Sequence, residues 1–146
     1  MSLRNVFDQY AQPENRLTHA LICGLADDRP LLRRFLRFAL GRSNPPAAGL
    51  QVVEQQLPGE TLLTEEESEK QGIPDAWVFN DSGWALVIEC KVAASPRLSQ
   101  LRRHLATARR RGFENVRLLV LSVLPPEFTL PDTVRRIAWS DLYIWL

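Results

Sequence analysis

The stretch from Asp75 to Val92 constrains this chain more than any other. Two apolar runs, Asp75–Asn80 and Trp84–Val92, flank Asp81-Ser82-Gly83. Both runs are rich in β-branched and aromatic residues and read as strands. A three-residue hairpin loop favours glycine at its last position, where the backbone turns left-handed and forms a bulge. That loop pairs Asn80 with Trp84, and the register follows by counting: Phe79 faces Ala85, Trp77 faces Val87, and Asp75 faces Glu89. A two-residue loop would instead put Asp75 and Glu89 on opposite faces.

Directly opposed residues hold their β-carbons roughly 5 Å apart on one side of the sheet. Glu89 and Lys91, two apart on one strand, share that side as well. Three charged groups therefore converge at one end of an otherwise apolar hairpin. The lysine stands out, because the chain has 16 arginines and only Lys70 and Lys91. Arginine is a planar fork, whereas lysine offers a compact charge with a tunable proton. Two such carboxylates suit a hard, oxygen-liganded cation such as Mg²⁺ or Mn²⁺, which acidifies water and offsets charge on phosphate oxygens. The bland reading is a cluster in which Lys91 merely neutralises two carboxylates. Buried ion clusters cost desolvation energy, so a fold gains little stability by keeping one without use.

Around the hairpin, the periodicity predicts a helix over residues 3–25, kinked or divided at Pro13. A second helix is capped by Asp28 and stops at Gly41. Leu50–Gln56 and Glu60–Thr64 flank a Pro58-Gly59 turn and read as a further hairpin. The acidic run Glu65-Glu66-Glu67 with Glu69 reads as a solvated loop. Ser95-Pro96 is expected to cap a helix to Arg111 that buries Leu98, Leu101, Leu105 and Ala108, with Gly112 at its C′ position. Val116–Val123 is continuously apolar, as in a strand covered on both faces. Ile137–Trp139 reads as a last short strand, and Ser140 or Asp141 as the cap of a final turn. The order predicts one α/β domain over residues 1–146, a mixed central sheet flanked by helices.

Pro74-Asp75, thirteen intervening residues, then Glu89-Cys90-Lys91 resembles the motif of the PD-(D/E)xK nuclease superfamily. The predicted element order is similar to that superfamily's αβββαβ, restriction endonuclease-like core. The resemblance implies a Mg²⁺- or Mn²⁺-dependent nuclease, endo- or exonucleolytic, that hydrolyses phosphodiester bonds, with DNA the favoured substrate. It implies Asp75 and Glu89 as metal ligands, Lys91 as the catalytic lysine, and the Cys90 carbonyl as a backbone ligand. Many members add an acidic residue from the first helix, here Glu14. Some carry a glutamine on the following helix with an aromatic residue four positions later. Here Gln100 is followed at that spacing by His104, a departure. Gln100, Arg97, Arg103 and His104 are the expected nucleic-acid contacts, with His104 a surface or phosphate-contact residue rather than a general base. His19 is expected to be structural. The rival reading is a catalytically silent module of the same fold that binds nucleic acid or protein within a larger defence or repair system.

Charge agrees with a polyanionic partner. Residues 96–146 carry 9 basic and 4 acidic side chains, against 9 and 13 in residues 1–95. A solvated helix face would look similar, and arginines that contact phosphates position a substrate without reading its sequence. The apolar ending Leu142-Tyr143-Ile144-Trp145-Leu146 fits a core cut short or an interface, and a homodimer or a partner subunit is the corresponding expectation. No apolar run approaches transmembrane length, the first residues lack a signal-peptide core, and Cys23 and Cys90 read as reduced core thiols. Cytoplasmic placement away from membranes is the expectation.

Overall fold

Pro13 opens the first described helix, where its missing N–H costs nothing. In the computed structural model, residues 13–41, 45, 46, 48–59 and 72–146 are described, with side chains from Arg16 onward. Helix α1 (Pro13–Asp27) covers the second part of the predicted 3–25 span and runs two residues past it. The remainder of that span lies outside the described residues. Asp28 caps α2 (Arg29–Leu40): its Oδ1 accepts the Leu31 N–H at 2.9 Å. Gly41 follows α2 with a positive φ of 65°, the conformation that lets the chain leave a helix abruptly.

Five strands form one sheet in the order β1-β2-β3-β4-β5. They are β1 (Gln51–Glu54), β2 (Ala76–Phe79), β3 (Trp84–Lys91), β4 (Asn115–Ser122) and β5 (Val134–Ala138). The first two pairings are antiparallel and the last two parallel, so the sheet is mixed. Strand β1 pairs with β2 from Gln51↔Phe79 to Glu54↔Ala76. The predicted partner Glu60–Thr64 and the acidic run Glu65–Glu69 lie outside the described residues.

The β2–β3 register is the one counted from the loop: Phe79 opposes Ala85 and Trp77 opposes Val87. Asn80 N–H donates to the Trp84 carbonyl at 3.1 Å, closing a three-residue loop whose Gly83 has φ 84°. Asn80 Oδ1 accepts the N–H groups of Ser82 and Trp84 and braces the turn from within.

Helix α3 (Leu98–Arg110) carries the chain from β3 to the parallel β4. It begins later than expected. Arg97, not Ser95, is the N-cap residue, and it makes no side-chain capping bond. The C-terminus closes as a Schellman motif, with Gly112 N–H bonded to the Arg109 carbonyl and Phe113 N–H to that of Ala108. The last strand is longer than predicted and is followed by α4 (Trp139–Trp145), capped by Ala138 rather than by Ser140 or Asp141.

Helices lie on both sides of the sheet. One core packs α1, α2 and α4 against Ala76, Val78, Leu86, Ile88, Cys90, Leu119 and Leu121. The other packs α3 against Trp77, Ala85, Val87, Leu118 and Val120. Seven of the eight β3 residues are buried, and only Lys91 is partly open. No helix among the described residues is long and apolar enough to cross a membrane.

Candidate metal and nucleic-acid site

Alternation along β3 decides where its polar residues go. Ile88 and Cys90 point into the α1–α2 core, which sends Val87, Glu89 and Lys91 to the α3 side. Glu89 is nearly inaccessible at 4% side-chain exposure, and Lys91 keeps 21%. Lys91 Nζ sits 3.1 Å from Glu89 Oε1. The other oxygen, Oε2, lies 2.9 Å from His104 Nε2. Glu89 is thus gripped at both oxygens, by the sheet's own lysine and by the helix above it.

Continuing the paired register by one residue sets Asp75 opposite Glu89. The Asp75 carbonyl still accepts the N–H of Gln55, the residue after β1, at 2.9 Å. Its side chain turns to β3, where Oδ2 accepts the Cys90 N–H at 2.7 Å. The hydrogen-bonded pairs alternate from Asn80–Trp84, so the next rung would fall on Pro74 and Cys90. The Asp75 carboxylate takes over that rung and is held at the end of the hairpin.

Burial pushes the Asp75 carboxyl well above the usual range, and the Glu89 charge pushes the same way. The Cys90 N–H and Lys91 pull it down, and Glu54 adds a smaller push upward. The net direction is upward, set first by burial and then by the neighbouring Glu89 charge. The Cys90 thiol is also raised, first by burial and then by Asp75, while a hydrogen bond with Thr18 opposes the shift. That thiol belongs to the core on the far face, as expected from alternation.

His104 departs from its expected place. It is fully buried, between Leu101, Leu105 and Ala108 on the inner stripe of α3, and its nitrogen is on Glu89 rather than at the surface. It is therefore not placed for phosphate contact. Its Nδ1 has no hydrogen-bond partner among the described residues. Leu98, predicted as part of that stripe, is only partly buried.

Arg97 and Arg103 are exposed on the first half of α3, and Gln100 is partly buried between them. The Arg103 guanidinium covers Gly72, where a β-carbon would come within 2.9 Å of Cζ. Arg110 and Arg111 border a separate hollow of about 570 Å³ at the hairpin-loop end, beside Asp81 and Gly83. Ten residues of helix, about 15 Å of rise, separate Arg110 from Gln100.

Glu54 is the acidic residue that sequence reading missed. It ends β1 beside Asp75, and its Oε2 lies 2.7 Å from His19 Nδ1. Its Oε1 is buried without a hydrogen-bond partner among the described residues. No sequence pattern announced it, because its position depends on β1 pairing with β2 across the intervening segment. His19 is structural in the expected sense, tying α1 to β1. Glu14 falls in the first turn of α1, and its side chain lies outside the described residues.

Among the described residues, no group of three or more His, Cys, Asp or Glu side chains is arranged to hold a metal ion. Asp75 and Glu89, opposed across β2 and β3, are two carboxylates, and Mg²⁺ is commonly bound through one or two, with water and substrate phosphate filling its other positions. The chain matches no protein-family model and no curated protein.

Proposed function

We propose that this chain is a metal-dependent nuclease of the PD-(D/E)xK type, acting on phosphodiester bonds in nucleic acid, with DNA the favoured substrate. The observation that carries the reading is the β2–β3 register: it sets Asp75 opposite Glu89, with Lys91 Nζ 3.1 Å from Glu89 on the same face. The element order, three antiparallel strands followed by a crossover helix and a parallel strand, supports an αβββαβ core.

Asp75 and Glu89 would hold Mg²⁺ or Mn²⁺, with the Cys90 carbonyl and Glu14 as further donors. When bound, the cation supplies a Lewis acid and a more acidic water. Asp75 and Glu89 face each other across β2 and β3, and a cation between them would offset their mutual repulsion. Lys91, more accessible than Glu89, would offer its ammonium to an attacking water or to charge building on phosphate oxygens. Arg97, Arg103 and the open N-terminus of α3 lie on the same side and give phosphates a positive approach.

A second reading, a catalytically silent module of this fold, is favoured by one observation: both Glu89 oxygens already have partners within the chain. Cleavage of supercoiled plasmid and of labelled single strands, with Mg²⁺ or Mn²⁺, separates the two. Metal-dependent cutting that is lost in Lys91→Ala supports the nuclease. Folded protein that binds nucleic acid equally well in EDTA and cuts nothing in either metal supports the silent module.

A further inference from the structure

We propose that His104 is a positioning residue that orients the Glu89 carboxylate for a divalent cation; the proposal rests on the metal-site reading above. A carboxylate rotates easily about its last torsion, so a ligand carboxylate needs partners that fix its plane. Glu89 has partners on two different elements. His104 Nε2 holds Oε2 from α3 at 2.9 Å, while Lys91 Nζ meets Oε1 from β3 at 3.1 Å. The bond from α3 turns Oε2 toward the helix and leaves Oε1 facing the Lys91 side of the sheet.

This grip does not exhaust the carboxylate. Two oxygens offer about four acceptor positions, so a pair remains for a cation. A carboxylate that ligates a cation only accepts hydrogen bonds, so in this role His104 Nε2 is the donor.

The burial pattern argues that His104 serves more than packing. It stands at i+3 from Leu101 and i−4 from Ala108, on a stripe whose other buried members are apolar. Its Nδ1 has no partner among the described residues. A leucine would pack that stripe without a polar atom to satisfy, since an unpaired buried nitrogen is costly. What a leucine cannot provide is the bond to Glu89. Partners that orient a metal ligand are worth about 10–100-fold in metal affinity.

The test is Mn²⁺ binding, followed by the spin resonance of free Mn²⁺, for wild type, His104→Phe, His104→Gln and Asp75→Ala. Phenylalanine keeps a ring in the stripe and removes the donor, while glutamine places an amide N–H near the lost Nε2. His104→Phe should bind Mn²⁺ about 10–100-fold more weakly per folded molecule, and His104→Gln should recover most of the loss. A folded His104→Phe that binds like wild type overturns the positioning role and leaves the metal site standing. Wild type that binds no better than Asp75→Ala overturns the metal site itself, and the role of His104 with it. Should the phenylalanine variant not fold, the imidazole nitrogen resonances of wild type decide the question. The chain has two histidines. Mg²⁺ should shift His104 well beyond His19, and an unmoved His104 signal at saturating Mg²⁺ rejects the proposal.

Discussion

Without metal, replacing Asp75 by asparagine should stabilise this protein at neutral pH. Asparagine keeps an oxygen for the Cys90 N–H that Asp75 Oδ2 now accepts at 2.7 Å. What it removes is a carboxylate charge penalised first by burial and then by the Glu89 charge it faces. Two charges at about the 5 Å spacing of opposed β-carbons, at an effective dielectric constant of about 20, would repel by about 3 kcal/mol. Loss of the Lys91 attraction and weakening of a charge-assisted hydrogen bond together offset about half of that. The net gain is about 1–2 kcal/mol, or roughly 3–6 °C in Tm for a chain of this size. Folding raises the Asp75 carboxyl, so the folded protein holds that proton more tightly than the unfolded chain does. Its favourable contribution is complete below the ordinary aspartate range and is lost as pH climbs through the raised folded value. Asparagine does not titrate. The advantage of Asp75→Asn should therefore be largest above the raised value and shrink as pH falls through it. It should vanish below the ordinary aspartate range. Circular-dichroism melts in EDTA across that range measure it directly. An Asp75→Asn variant that melts below wild type at pH 8, or a gap independent of pH, would refute the reasoning. Mg²⁺ at 100 times its Kd adds about 2.7 kcal/mol to wild type alone, enough to reverse the ranking.

Gly83 has φ 84° at the end of the hairpin loop, so Gly83→Ala should cost about 1–2 kcal/mol in urea unfolding, and Gly83→Asn less. Equal midpoints for all three would show that the loop does not require a left-handed residue. Leu101 is fully buried between α3 and the sheet, and Leu101→Ala should cost about 2–5 kcal/mol by the same assay. A loss under about 1 kcal/mol would mean that the α3 face is loosely packed. Removing Arg97 and Arg103 together should weaken nucleic-acid binding and reduce the salt slope by about two, read by fluorescence anisotropy across salt concentrations. An unchanged slope would place the phosphates elsewhere.

The parts legible in the sequence were those fixed by local rules. Asp81-Ser82-Gly83 set the loop length, the loop length set the register, and the register put Asp75 opposite Glu89 without knowledge of any other element. Asp28 with Pro30, and Gly112 past α3, announced helix ends through chemistry confined to a few residues. Glu54 was illegible for the opposite reason. Its place beside Asp75 depends on β1 pairing with β2 across more than twenty residues, and no local signal encodes that pairing. The boundary errors around α3 and α4 share a cause: Arg97 and Ala138 supply extended backbone but no capping oxygen, so the stronger cap formers nearby drew the prediction.

His104 is a different case, because the information was present and was outweighed. The spacing Leu101, His104, Leu105, Ala108 is a helical inner face, and position 104 lies within it. Polarity suggested the surface, whereas periodicity pointed inward. In a helix packed on a sheet, periodicity determines direction, since every side chain on that stripe faces the neighbouring layer whatever its chemistry. A polar residue so placed must then find a partner on the facing strand, and the polar residue available there was Glu89. Two rules already in use, the helical stripe and strand alternation, together imply the contact. A buried histidine above a buried glutamate is where the two layers of the core meet the proposed chemistry.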